Sequence, residues 1–592
     1  MTMCPKTATT LPLFVLQKGA DRLRAYRRDD SGVMTYPTIA FFLAMLAVGG
    51  IGVDLMRMER DRTVLQYTLD RAVLAAADLD QTQTPAVVVQ DYLNKAGLGE
   101  YYAPPIVESG LGYKRVQATI DTTFEAHLLR FSRGGNMPLY ASSKAEESID
   151  GLEISLVLDV SGSMNSNSRL SNLKVAAKDF IDTMVANTSD GKMSISVVPY
   201  ATQVSLPDDL IEQYSTAGTN PYSNCIDFRG SDYTSADLPT DVELDRAMHF
   251  TPWGYSSRDM RTHYSEPRLI TSPVCDDRAS REVLPLQKDA STLKTFIQNL
   301  VAGGNTSIDT GMKWGTALLD PSARPAINAI STGVGASVPA EFSNRPVNYD
   351  DSDTIKIIVL MTDGQNTSQY YVDDDHRDGP SGAHFAILEG REDLRYNTGT
   401  ASLKVYSTYD AQNGRYFWHI SGEDGDGIWA DHPIGTGNDT FRECDRYGNN
   451  CEWINEQVAA SHPDSYVEDP INGQFLGLNY SELFARTSLK YLYRYIFADW
   501  MGSYSARDAW YYGVYSSHNN STKNARTRSV CDAAKAKGII VYTIGFEAPG
   551  DGVAVLRDCA STDAHYFDVN GLEIKDAFAS IATSIRQLRL TQ

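Results

Sequence analysis

Ile154-Ser-Leu-Val-Leu-Asp159, running into Val160-Ser-Gly-Ser-Met-Asn165, is a short and mostly apolar stretch that stops in a loop of small polar residues. Periodicity alone leaves it open between strand and helix, but its length, its Val/Ile content and the Ser/Gly/Asn stop favour a strand. Leu173, Ala177, Phe180 and Met184 then recur at helical spacing, giving strand, loop, helix. Thr354-Ile-Lys-Ile-Ile-Val-Leu-Met361 is a near-continuous apolar run ahead of Thr362-Asp363-Gly364, the pattern of a strand covered on both faces. Gly303-Gly-Asn-Thr-Ser307 precedes a helix whose Ile308, Met312, Gly315 and Leu319 share a face. Met193 to Tyr200 and Ile539-Ile-Val-Tyr-Thr-Ile-Gly545 read as further strands, and Ile574, Phe578, Ile581, Ile585 and Leu588 line a closing helix. The expectation is an α/β domain, doubly wound and Rossmann-like, on a mostly parallel sheet.

Three loops of that domain carry Asp159, Ser161, Ser163, Thr306 and Asp363. Ligands of open parallel sheets lie outside the carboxyl ends of the strands, where these loops converge. Carboxylate and hydroxyl oxygens are hard donors, so Mg²⁺ is the expected ion, with Ca²⁺ and Mn²⁺ in the same oxygen-seeking class. Two carboxylates and three neutral hydroxyls leave the ion electrophilic, able to accept an Asp or Glu carboxylate from a partner protein. Asp-x-Ser-x-Ser alone would be an ordinary polar turn; the ordered Thr and Thr-Asp-Gly favour a metal. Residue by residue the set resembles the metal-ion-dependent adhesion site (MIDAS) of von Willebrand factor type A domains. That resemblance implies that Ser161, Ser163 and Thr306 hold the ion directly or nearly so, and that Asp159 and Asp363 act largely through water.

At 592 residues the chain is too long for one core, and its net charge of -22 argues against unspecific attraction to nucleic acid or anionic lipid. Gly32 to Val53 contains no charged residue and would span about 33 Å as a helix, enough to cross a bilayer. It starts too far into the chain, and lacks a small-residue cleavage site, for a secretory signal; it reads as an uncleaved single-pass anchor. Lys18, Arg22, Arg24, Arg27 and Arg28 precede it, against Arg57, Arg60 and Arg62 after it, which favours a cytoplasmic N-terminus and an external bulk. Cys4 lies before the anchor and six cysteines lie beyond it, as an oxidising exterior would select. Six thiols permit about 15 connectivities; segment membership suggests Cys225–Cys275, Cys444–Cys451 and Cys531–Cys559.

The expected organisation is a cytoplasmic segment over 1–31, a transmembrane helix over 32–56, a helical extension over 57–84, a small strand-rich stalk over 85–150, and the α/β domain over 151–592. Two long insertions interrupt that domain at about 205–286 and 366–521. Leu65, Leu69, Ala72 and Ala76 stripe the extension, a pilin-like plan. Asp29-Asp-Ser-Gly-Val-Met-Thr-Tyr36, the anchor, Gly52-Val-Asp-Leu-Met-Arg57 and Arg71-Ala-Val-Leu-Ala-Ala-Ala77 resemble the N-terminal region of TadG-like proteins of Flp (tight-adherence) pilus assembly. The resemblance implies a bacterial inner-membrane protein with a periplasmic bulk, a pilus or pilus-assembly partner and a part in adhesion. Pilin processing wants a Glu at the fifth residue after the cleavage glycine, and counting from Gly32 that residue is Pro37. The expectation is therefore that Met1 to Gly32 is kept.

Other chemistry is weaker. Asp373-Asp-Asp-His-Arg-Asp378 and Glu423-Asp-Gly-Asp-Gly427 do not fit the twelve-residue calcium-loop pattern and read as solvated acidic loops. Ser161 has Asp159 where a nucleophile elbow needs Gly. The histidines are scattered without metal-ligand spacing. A non-enzymatic binding module is expected, the alternatives being a surface adhesin for host or matrix ligands and, further off, a Mg²⁺-dependent hydrolase. The insertions are expected to shape which partner reaches the ion. Tyr491-Leu-Tyr-Arg-Tyr-Ile-Phe497 and Ala509-Trp-Tyr-Tyr-Gly-Val-Tyr515 suit either a binding surface or the second insertion's own core.

Overall fold

The structure is a computed structural model. It describes residues 34–591 except 79–80, 111–112, 128–135, 149–150, 219, 254–269, 334, 352, 390–401, 421–426, 444–448, 450 and 457–475, with Arg24 and Arg27 ahead of them. The chain divides into two compact units, Met1–Ser148 and Ile149–Gln592.

In the first unit, α1 (Thr35–Ala77) is one unbroken helix. Its apolar first half exposes Phe41, Phe42, Leu43 and Leu46, and among the described residues it is the one helix long and apolar enough to cross a bilayer. Its second half buries Leu65, Leu69, Ala72 and Ala76 against α2 (Pro85–Lys95) and an antiparallel sheet of β1 (Ile106–Gly110), β2 (Tyr113–Glu125) and β3 (Asn136–Ser148). Alternation along β2 turns Val116, Ala118, Ile120 and Phe124 inward. The helix α2 departs from the strand-rich expectation for this region. Three consecutive valines give it a strand-like look, but Pro85 occupies the first turn, where its missing N–H is no loss. Val88, Val89 and Leu93 then share the buried face.

The second unit is built on a six-stranded sheet of β4 (Gly151–Asp159), β5 (Met193–Tyr200), β6 (Leu284–Gln287), β7 (Thr354–Thr362), β8 (Ile540–Phe546) and β9 (Tyr566–Val569). Their spatial order is β9-β8-β7-β4-β5-β6, parallel except for β6 at the edge. The helices are α3 (Arg169–Ala186), α4 (Ala290–Asn299), α5 (Ile308–Ala317), α6 (Arg324–Ser331), α7 (Asn520–Ala536), α8 (Gly550–Cys559) and α9 (Ile574–Thr591). This is a doubly wound, Rossmann-like α/β fold on a mostly parallel sheet. Leu173, Ala177, Phe180 and Met184 of α3 and Ile574, Phe578, Ile581 and Ile585 of α9 are buried; Leu588 falls outside the described side chains. From β4 the chain proceeds to β5 on one side and later returns to β7 on the other, so the switch point falls at the carboxyl end of β4.

Close packing fixes α5 over that point. A Cβ on Gly315 would stand 2.3 Å from Val157 Cγ2 of β4, and one on Gly311 2.7 Å from the Tyr200 ring at the end of β5. These two glycines, four residues apart on one face, let the helix lie against the sheet.

The stretch between β5 and β6 is tied by the Cys225–Cys275 disulfide, Cα atoms 5.8 Å apart. It packs Tyr214 and Phe228 on Trp314 of α5, ring centroids 5.7 and 5.6 Å away. Between β7 and α7 lies a five-stranded antiparallel sheet in the order 428–430, 415–418, 402–410, 380–389, 476–479, together with a hairpin of 440–443 and 452–455. The aromatic runs of this insertion mostly pack inward. Phe497 stacks on Trp510 at 3.8 Å, and Leu492, Ile496, Phe497 and Val514 are buried. That core is not the second insertion's alone: Met248, Phe250 and Val274 of the first belong to it, and the Tyr511 hydroxyl donates to the Pro252 carbonyl at 2.6 Å. Tyr504 and Tyr512 remain exposed.

The second disulfide, Cys531–Cys559, joins α7 to α8 with Cα atoms 5.1 Å apart. Cys451 is disulfide-bonded; Cys444 lies outside the described residues, as do Cys4, Gly32 and Glu423–Asp426.

Candidate metal centre

All five expected donors are gathered at the switch point. Asp159 closes β4, where burial on both faces leaves its carboxylate nowhere to go but the strand's end. The Ser161 N–H donates to Asp159 Oδ1 at 2.7 Å and the Thr362 hydroxyl donates to Asp159 Oδ2 at 2.6 Å. Ser161 Oγ and Ser163 Oγ stand 3.0 Å apart, and the Ser163 hydroxyl donates to Asp363 Oδ1 at 2.7 Å across 200 residues of sequence. A Cβ placed on Gly364 would lie 3.9 Å from both Ser163 Oγ and Thr306 Oγ1, so a side chain there would grow toward the space between the two hydroxyls. Asp159, Ser161, Thr306 and Asp363 are buried and Ser163 half-buried; Ser163 and Gly364 form the opening.

The loops are laced by backbone. Gly162 N–H donates to Gly304 O and Gly303 N–H to Val160 O, each at 2.9 Å. Gly304 has φ +80°, a left-handed conformation that glycine adopts without strain. Asn366 caps α5, its Oδ1 accepting from Ile308 N–H at 2.8 Å. Buried or mostly buried cations brace the frame, among them Lys523 and Arg169. Lys523, fully buried on α7, donates to Thr306 O at 2.8 Å, Ser307 Oγ at 2.6 Å and Thr367 O at 2.8 Å. Burial draws its ammonium down to about 8, against the pull of Asp309 3.8 Å away. Arg169, at the start of α3, donates from Nη1 to Asp363 Oδ2 at 2.8 Å and lies 2.9 Å from Glu547.

Electrostatically the centre is short of positive charge. Burial, and after it the Asp363 carboxylate, push Asp159 up to about 7. The residues fit a hard divalent cation: each carboxylate is already held by neighbours, while the hydroxyls of Ser161, Ser163 and Thr306 bring neutral oxygen donors to one place. A cleft of about 520 Å³ opens beside the centre, lined by Gly303, Gly304 and Asn305 on one side and by Trp253, Asp276 and Arg278 of the first insertion on the other.

Residues 32–79 match the family described as Putative Flp pilus-assembly TadE/G-like. No curated protein is matched. Among solved structures, the chain is similar to the vWF domain of the type V pili tip protein Mfa5 from Porphyromonas gingivalis, at 13% identity over 74% of this chain and 95% of that one, TM-score 0.27. It is similar also to the pilus adhesin RrgA from Streptococcus pneumoniae, at 13% identity over 80% of this chain and 47% of that one, TM-score 0.27. The adhesive tip pilin GBS104 from Group B Streptococcus agalactiae gives 14% identity over 74% and 100%, TM-score 0.27.

Proposed function

We propose that this chain, whose residues 32–79 match TadE/G-like pilus-assembly proteins, is a membrane-anchored binding module for Flp pilus assembly or anchoring. It captures a carboxylate of a pilus component through Mg²⁺ held at Asp159, Ser161, Ser163, Thr306 and Asp363. The observation that carries this reading is the Ser163 hydroxyl, which joins Ser161 at 3.0 Å to Asp363 at 2.7 Å at the mouth of a centre holding two acidic side chains. When bound, the ion supplies Lewis acidity toward an incoming carboxylate. The chain's own residues do the rest: Thr362 and the Ser161 amide orient Asp159, Arg169 orients Asp363, Lys523 fixes the Thr306 loop, and the insertion-lined cleft admits residues flanking the partner's acid. The helix α1 holds the module at the inner membrane with its bulk in the periplasm.

The test is capture of partners from detergent-solubilised membranes by the wild-type chain and by Ser161→Ala/Ser163→Ala, each with Mg²⁺ or with EDTA. Proteins lost in the double variant and in EDTA alike are those held through the ion. Identical captures in all four arms would sink the reading.

A further inference from the structure

The second insertion holds a constellation that the binding reading does not use. His432 lies two residues past the strand 428–430, Asp439 immediately before the strand 440–443, and Glu456 immediately after the strand 452–455. One donor atom from each lies within 4.8 Å of the others. Their sequence spacing is irregular, which is why the histidines read as scattered.

The geometry is that of an oriented ligand set. His432 is fixed at both ends: its carbonyl accepts from the Trp418 indole N–H at 2.8 Å, and its Nδ1 lies 2.6 Å from Asp431 Oδ1. Nε2 faces Glu456, 2.9 Å from Oε1 and 3.1 Å from Oε2, and in the tautomer that gives the Nδ1 proton to Asp431 it would turn a lone pair that way. An outer carboxylate that orients the imidazole so that the other nitrogen can bind is the usual arrangement behind a metal-bound histidine. Glu456 is wholly buried and is held by the N–H groups of Gly435 at 2.9 Å and Asp439 at 2.6 Å. A ring nitrogen and a buried carboxylate facing each other at this distance are joined either by a proton on Nε2 or by a metal ion in its place.

Gly437 lets the loop close on the two donors. It is not among the glycines with a left-handed backbone, yet a Cβ there would lie 2.1 Å from His432 Nε2 and 2.5 Å from Glu456 Oε1. Only a residue without a side chain lets this loop approach both donors so closely. Metal bonds of about 2.0–2.2 Å to imidazole nitrogen and carboxylate oxygen suit donors roughly 3 Å apart. Exposed Asp439 closes the third side.

We infer that His432, Asp439 and Glu456 form a second metal site, separate from the Mg²⁺ centre and selective for a zinc-class divalent ion. An imidazole among the donors disfavours Mg²⁺ and Ca²⁺, whereas one nitrogen and two carboxylates with an open fourth position suit Zn²⁺. The ion staples the 431–439 loop to the paired strands 440–443 and 452–455, a structural role beside a small apolar cluster that includes Trp418, Ile434, Phe441 and Ile454.

The test uses the full chain in detergent carrying Asp159→Ala to silence the first centre. It is stripped with EDTA and titrated with Zn²⁺ against a chromophoric chelator, and with Co²⁺ followed by visible absorbance. One Zn²⁺ per chain is expected. Asp439→Asn, at an exposed position that leaves the fold intact by far-UV circular dichroism, weakens Zn²⁺ at least tenfold, and His432→Gln abolishes the Co²⁺ bands. Absence of stoichiometric Zn²⁺ at micromolar free ion would show a plain imidazolium–carboxylate pair and overturn the site. Unchanged affinity in Asp439→Asn would overturn it as well.

Discussion

The Arg169 guanidinium donates to Asp363 at 2.8 Å and reaches Glu547 at 2.9 Å, so the start of α3 is tied both to the candidate metal centre and to the loop after β8. Glu547 Oε1 in turn accepts from the Gly571 N–H at 3.2 Å, just ahead of α9. Asp363, one of the two carboxylates of the centre, is in direct contact with this cation, which is mostly buried, at 16% exposure.

Arg169→Gln should therefore unmask the need for an ion. Without the guanidinium the metal-free protein loses about 3 kcal/mol, because a buried carboxylate loses its ion-pair partner. Mg²⁺ then restores part of the loss. The Mg²⁺-induced rise in Tm is expected to be larger in the variant than in the wild type, and equal rises would refute the assignment.

Lys523→Met removes the donor that holds Thr306 and Thr367 together and strands Asp309, which is buried beside it. A loss of about 3 kcal/mol or more is expected from acceptors and a charge left without a partner in the core. Denaturant unfolding measures it, and weakened Mg²⁺ binding by calorimetry should accompany it.

Gly315→Ala tests the close approach of α5. Its Cβ would meet Val157 at 2.3 Å, and relief by backbone shift costs about 1–3 kcal/mol. Since Thr306 leads directly into α5, Mg²⁺ affinity falls together with Tm. A stable variant with intact affinity would show that the helix position does not set the centre.

Acid should loosen the insertions first. Burial draws the imidazoles of His249, His384 and His518 down from 6.5 to about 4. All three are neutral in the fold, so between those values the unfolded chain binds more protons. Their contribution is complete above about pH 6.5 and is lost as pH falls toward 4. Hydrogen exchange at pH 4.5 should rise in 201–283 and 366–518 before it rises in β4 and β7, and His249→Gln should lower the acid midpoint of tryptophan fluorescence.

The sheet and the five-oxygen centre were legible because their signals are local. β4 and β7 are unbroken apolar runs, and Asp159 and Asp363 stand at their ends, where strand geometry dictates convergence. Arg169 and Lys523 were not legible, since a lone cation on a helix carries no pattern until its partners are known. The helix α2 hid behind three valines, whose β-branching suggests a strand although burial of one face decides otherwise. Pairing between Phe250 and Tyr515, ring centroids 5.9 Å apart, joins segments far apart in the chain and leaves no periodicity to read. The same holds for His432, Asp439 and Glu456, which three strand ends bring together.

The joint core of the two insertions sets an order of events during synthesis. Phe250 and Val274 emerge long before Leu492, Phe497 and Val514, which cover them in the finished molecule. Until the later segment arrives, the earlier one presents an oily surface with no mate, and β8 has not yet been made. A chain stalled between these points would be prone to clump.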